Sequence, residues 1–203
     1  MLKKHLVAIG LLLSLCCLIL ATFYYPGGSQ ADKNAIGFDW ANNYLCNLFN
    51  EKAVNGAYNP ARFMAITGMF LLCVSIALFF INFSKKISIK RDANIIRYTG
   101  IGAMCCTFLL ITPYHDAMTI FASTFGLLTL FYISVYTFMS KLTFLKYLSA
   151  LCLIILYLNN YIYYTQQGLA WLPILQKISL LTLITWLLSL EYVTTKEDFL
   201  KKA

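Results

Sequence analysis

Six apolar runs, each about the length that crosses a bilayer, divide this sequence, and they constrain its fold more than anything else in it. They cover residues 6–25, 60–83, 94–112, 116–140, 144–164 and 173–192. About 20 apolar residues in a helix span the hydrocarbon core. Helices and closed barrels are the only elements that cross it, because lipid cannot hydrogen-bond a free backbone group. The expected fold is therefore all-α: one polytopic membrane helical bundle of about six transmembrane helices, with no second domain. Composition agrees, since 60% of the residues are hydrophobic and only 12% are charged. A soluble domain carries about twice that share of charge.

Local signals mark the ends of these runs. Asn59-Pro60 opens the second, combining a capping side chain with a residue suited to a first helical turn. Pro113 closes the third, and only Pro113-Tyr114-His115 separates it from the fourth, so these two form a tight antiparallel pair. Pro173 opens the sixth. Gly68, Gly100 and Gly102 allow helices to approach closely. The first run follows Lys3 and Lys4 as a signal peptide does, but it is long for one and no A-x-A site follows, so an uncleaved span is expected.

Charge sets the expected orientation. Of the 16 Lys and Arg, twelve lie at one side: Lys3, Lys4, Lys85, Lys86, Lys90, Arg91, Arg97, Lys141, Lys146, Lys196, Lys201 and Lys202. Lys33, Lys52, Arg62 and Lys177 lie at the other. The positive-inside bias puts both termini in the cytoplasm. Tyr24, Tyr25, Tyr114, Tyr161, Tyr163, Tyr164 and Trp171 then form an outer aromatic belt. The net charge of +8 is thus a set of helix flanks with no basic groove for a phosphate backbone, which excludes nucleic acid as a partner. A bacterial-type plasma membrane is the expected location.

The one long outer segment, residues 26–59, contains a stretch from Asp39 to Glu51 whose Ala41, Tyr44, Leu45, Leu48 and Phe49 recur at helical spacing. A short amphipathic helix is expected there, lying in the interface or plugging the bundle's outer mouth. Asp39 could cap it or serve a site. His115 and Asp116 fall at the same depth, and so do Glu51 and Arg62. A polar outer-leaflet pocket follows if the bundle gathers them. In it His115, Asp116 and Asp39 would be the catalytic candidates, the His a general base oriented by a carboxylate. Arg62, Glu51, Asn43 and Trp40 would bind ligand, with Arg62 gripping a phosphate or carboxylate. The structural readings are equally open: Asp116 and Asp39 as caps, His115 and Arg62 as interfacial side chains.

Other chemistry finds little support. With two histidines, and His5 at the far side, a three-histidine zinc site cannot form, and no metal site is expected. Nucleotide-binding and nucleophile-elbow motifs are absent, so no cofactor is indicated. Six of the seven cysteines sit in apolar runs as small packing side chains, leaving Cys46 as a free thiol in a loop. Charges mid-span and paired broken helices, which would indicate a transporter, are lacking.

The layout resembles the damage-regulated autophagy modulator and Frag group of six-helix membrane proteins. The shared features are the polar first outer loop from Asn42 to Pro60, the Thr67-Gly68-Met69 start of the second span and the His115-Asp116 start of the fourth. The acidic motif of that loop has its nearest counterpart in Phe38-Asp39-Trp40. The resemblance implies a role in lipid handling. The expected partners are membrane lipids and, through the aromatic fourth span, other membrane proteins or a second copy. A non-catalytic subunit of a larger complex is the alternative reading, and a small-solute transporter the third.

Overall fold

Six long helices, all apolar enough to cross a membrane, make up the computed structural model, which describes residues 5–200. They are α1 (Leu6–Phe23), α2 (Arg62–Ser84), α3 (Lys90–Phe108), α4 (His115–Met139), α5 (Thr143–Thr165) and α6 (Leu172–Val193). Among the described residues there are no strands, only isolated bridges at Gly27–Ile36 and Lys52–Tyr58. Lys3, Lys4, Lys201 and Lys202 of the charge count lie outside the described residues.

Successive helices alternate in direction and pack on their neighbours, with α1 against α2 and α3 against α4 the most extensive pairs and α4 against α5 the least. The start of α1 therefore lies beside the end of α6, where His5 stacks on Tyr192 at 5.6 Å. This end of the bundle is called the terminal end below, and the opposite one the loop end.

Small residues make the tight pairs possible. A Cβ on Gly68 would touch Cys17 and Leu18 of α1, and one on Gly100 would run into the Phe80 ring of α2. The Gly68 carbonyl also accepts a 2.7 Å bond from Ser14 Oγ, tying α1 to α2. Buried Trp186 of α6 donates to Ser149 of α5 at 2.7 Å, and Thr99 meets Thr129 at 2.6 Å between α3 and α4. Each bond satisfies a polar group that lipid could not.

The terminal end is closed by cations and carboxylates on helix ends. Lys86, just past α2, donates from Nζ to the carbonyls of Leu190, Glu191 and Thr194 at 3.0–3.1 Å. It thereby caps the C-terminus of α6, where the macrodipole favours a cation. Burial there depresses the Lys86 pKa.

The helix α3 begins at Lys90, four residues before the expected start of 94. Its first turn takes in Asp92, and an acidic residue is stabilised at a helix N-terminus. Asp92 is buried and accepts from Tyr136 Oη at 2.7 Å and Arg91 Nε at 3.0 Å, so its charge is met inside the bundle. Conversely α2 starts at Arg62, two residues later than expected, because Asn59 Oδ1 engages the Ala61 amide and holds Pro60 in a turn.

The same substitution should have opposite effects at two glycines. Gly100→Ala drives a methyl into Phe80 and should lower stability by about 1–3 kcal/mol, as overpacking does. Gly126→Ala meets nothing within 4 Å and should raise it by up to about 1 kcal/mol through helix propensity. Thermal unfolding of both variants in mild detergent checks the pair.

Candidate functional site

At the loop end the helices diverge around a cavity of about 560 Å³. Part of its lining is apolar, built from Leu18, Met69, Leu72, Leu110 and Leu180. Another part is polar: Thr119 and Ser123 of α4, Asn159, Asn160 and Tyr163 of α5, and Gln176 of α6. Helical spacing puts Asn159 and Tyr163, four apart, on one face of α5, and His115 and Thr119 on one face of α4. His115 and Asp116 stand at the rim.

Asp116 lies in the first turn of α4, and no side chain caps that helix. The carboxylate turns sideways. Its Oδ1 pairs with His115 Nδ1 at 3.1 Å and accepts from Tyr163 Oη at 3.2 Å. The three side chains link α4 to α5 across the mouth. Asp116 is largely exposed while His115 is half-buried, so this triad is a wetted rim to a drier interior.

The first loop covers the cavity from the other side. The expected amphipathic helix over 39–51 reduces to a five-residue 3-10 helix, Leu45–Phe49, preceded by a turn. Asn47 explains the difference, since it binds a mid-segment amide, that of Tyr44, which a continuous helix would use. Asn43 Oδ1 takes the Asp39 amide at 2.8 Å, and Asn47 Oδ1 takes the Tyr44 amide at 2.7 Å. The apolar side chains still face inward: Leu48 and Phe49 are buried, and Tyr44, Leu45, Cys46 and Phe49 line the cavity. Burial pushes the Cys46 thiol up to about 11, which keeps it a neutral thiol. All seven cysteines are free.

The remaining candidates do not line the cavity, and Asp39, Asn43 and Glu51 hydrogen-bond within the loop. Asp39 is a turn cap: Oδ1 accepts from the Ala41 and Asn42 amides at 2.9 and 3.1 Å, and Oδ2 from Asn42 Nδ2 at 2.8 Å. Asn43 is fully buried and donates from Nδ2 to the Gly28 carbonyl at 2.8 Å. Gly28 itself has φ +80°, and a Cβ there would strike the backbone of Asn55. Trp40 is half-exposed and rests edge-on against Phe38. Glu51 is exposed and contributes its carbonyl to the Asn59 amide. Arg62 is half-buried on the first turn of α2.

Of the sequence candidates, His115 and Asp116 line the cavity. Sequence reasoning missed Tyr163, Asn159, Asn160 and Gln176, whose signal was amide side chains inside otherwise apolar spans. It also missed Lys177, which joins the loop to α6 by donating to the Asn43 carbonyl at 2.7 Å under the Phe38 ring. Among the described residues no group of three His, Cys, Asp or Glu could hold a metal ion.

No family model, curated protein or solved structure matches this chain.

The Asp39 cap makes the loop acid-sensitive. Its Asn42 and backbone hydrogen bonds hold the carboxyl below its usual 3.8. A depressed value stabilises the fold fully above the unfolded pKa, and that stabilisation disappears as pH falls through the folded one. Wild type should therefore lose stability below about pH 4 relative to Asp39→Asn, which keeps a capping oxygen but does not titrate there. The gap between their unfolding midpoints, measured from neutral to acid pH, checks this. The effect should be small, because Asp39 is partly exposed.

Proposed function

We propose that this protein binds a single-chain amphiphile or lipid at the loop end of the bundle, and that this end faces the outer leaflet. The observation that carries the reading is the mixed lining of the 560 Å³ cavity: Leu18, Met69 and Leu72 of α1 and α2, with Leu110 and Leu180, are apolar, while amides, hydroxyls and the His115–Asp116–Tyr163 triad come from α4, α5 and α6. That mixture matches a molecule with an alkyl chain and a polar head. Pockets for small molecules typically combine apolar walls with a few placed polar groups.

A second feature favours a ligand arriving from the bilayer. A groove between α4 and α5, lined by Ile120, Leu127, Tyr157 and Tyr164, shares Ser123 and Asn160 with the cavity. Over their whole lengths these two helices pack less extensively than other consecutive pairs, and Gly126 leaves space on α4. A chain lying in this groove would need to pass only those two residues to enter. The outer placement rests on the twelve-to-four distribution of Lys and Arg. His115, oriented by Asp116, is positioned to exchange a proton with a bound head.

Native mass spectrometry of the chain released from nanodiscs tests the reading. Wild type should retain an alkyl-chain molecule, and Ser123→Trp, which fills the shared wall, should retain at least tenfold less. Equal retention by a folded Ser123→Trp would show that the bound lipid lies on the outside of the bundle, and the proposal would fall.

A further inference from the structure

The cavity's chemistry selects among possible heads. No lysine or arginine lines it. Lys177 is near in sequence to Gln176, but its ammonium is committed to the Asn43 and Pro173 carbonyls. The only fixed charge in the lining is the Asp116 carboxylate. A phosphate, sulfate or carboxylate head would meet no cation and would face a like charge at the rim.

Acceptors, by contrast, are in surplus. Asn159 Oδ1 and Gln176 Oε1 are buried and have no hydrogen-bond partner among the described residues. The Asn159 amide is fixed in its orientation by its neighbours. Its Nδ2 donates to the Ile155 and Leu175 carbonyls and to Ser179 Oγ, which itself donates to Leu175. Carbonyls only accept, so turning the amide over would set oxygen against oxygen. Oδ1 therefore remains an acceptor, and an unmet buried acceptor is destabilising until a donor arrives. Asn159, Gln176 and Asp116 lie on α5, α6 and α4, all towards the loop end and all in the same lining.

We infer, resting on the amphiphile reading above, that the head is a hydrogen-bond-donating cation: a primary ammonium on an alkyl chain, as in a long-chain amine or amino alcohol. An ammonium brings three donors and one positive charge. Two donors serve the orphaned amide oxygens, which are closed to water as the helices now stand and which a small shift of α5 and α6 turns into the cavity, and the charge is balanced by Asp116. The rings of Tyr44 and Tyr163 in the same lining tolerate a cation where they would disfavour an anion. The apolar residues of α1 and α2 in that lining take the chain.

Three probes with the same chain separate charge from donors: dodecylamine, dodecyltrimethylammonium, which is cationic without N–H, and dodecyl phosphate. Each is titrated into phosphatidylcholine nanodiscs holding the full chain, and the Ser123→Trp background is subtracted. Dodecylamine should bind at least tenfold more tightly than either of the others. Asn159→Leu and Gln176→Leu, tested separately so that one folded variant suffices, should each remove most of the preference over dodecyltrimethylammonium. Asp116→Asn should narrow the gap to dodecyl phosphate. Equal binding of amine and trimethylammonium would overturn the donor requirement, and equal or tighter binding of phosphate would overturn the charge. If no probe binds above the Ser123→Trp background, the pocket reading itself fails. Binding of all three probes above that background with no head preference would sink only the present inference.

Discussion

Lipid offers no hydrogen bonds, and the placement of polar atoms in this bundle follows from that. Hydroxyls inside the helices mostly bond back to the carbonyl one turn earlier, as Thr67, Ser75, Thr107, Thr124, Thr137 and Thr185 do. Others bridge helices, like Ser14 to Gly68 and Trp186 to Ser149. Against that background an unmet buried acceptor costs about 1–3 kcal/mol and calls for a cause. Five buried side-chain atoms stand without a partner among the described residues, and two of them, on Asn159 and Gln176, belong to cavity residues. The donor-bearing ligand proposed above would give those two a reason to persist.

The cavity itself arises from unequal packing. Glycines let α1, α2 and α3 close on one another, with Gly68 against α1 and Gly100 against Phe80. At the terminal end, Lys86 and the Asp92–Tyr136 pair draw helix ends together. Between the loop-end halves of α4 and α5 Gly126 faces open space, and Tyr163 to Asp116 at the rim bridges the two helices. The α4–α5 seam is thus the least extensively packed of the consecutive helix pairs, and a chain entering from the side, as proposed, would cross it at the smallest cost to the core.

Much of this was legible in the sequence. Hydropathy gave all six helices because span length is a property of the solvent, which is the same for any chain. Helix ends moved by up to four residues where one side chain decided them: Asp92 extended α3 because Tyr136, 44 residues away, receives its charge, a contact no local pattern reveals. The loop helix was misjudged for a related reason. Apolar spacing in 39–51 fits a helix, yet Asn47 redirects the Tyr44 amide. His115 and Asp116 stood out because they are polar residues at the junction of two apolar spans. Asn159 and Gln176 were passed over because a single amide in an apolar run reads equally as a helix-packing contact; only its unmet oxygen distinguishes it.

The first loop and the cavity also form one mechanical unit. The 3-10 helix Leu45–Phe49 supplies part of the lining, and it is pinned from both directions. Asn59, beside α2, holds the Leu48 and Asn50 carbonyls at 3.1 and 2.9 Å. Lys177, on α6, holds the Asn43 carbonyl. Lys177 directly follows Gln176, so any rotation of α6 that brings the Gln176 oxygen to a ligand also moves the anchor of the loop. Were a ligand to bind as proposed, a shift of α6 towards it would also shift the anchor of the loop, and any coupling between the two would be reciprocal in free energy.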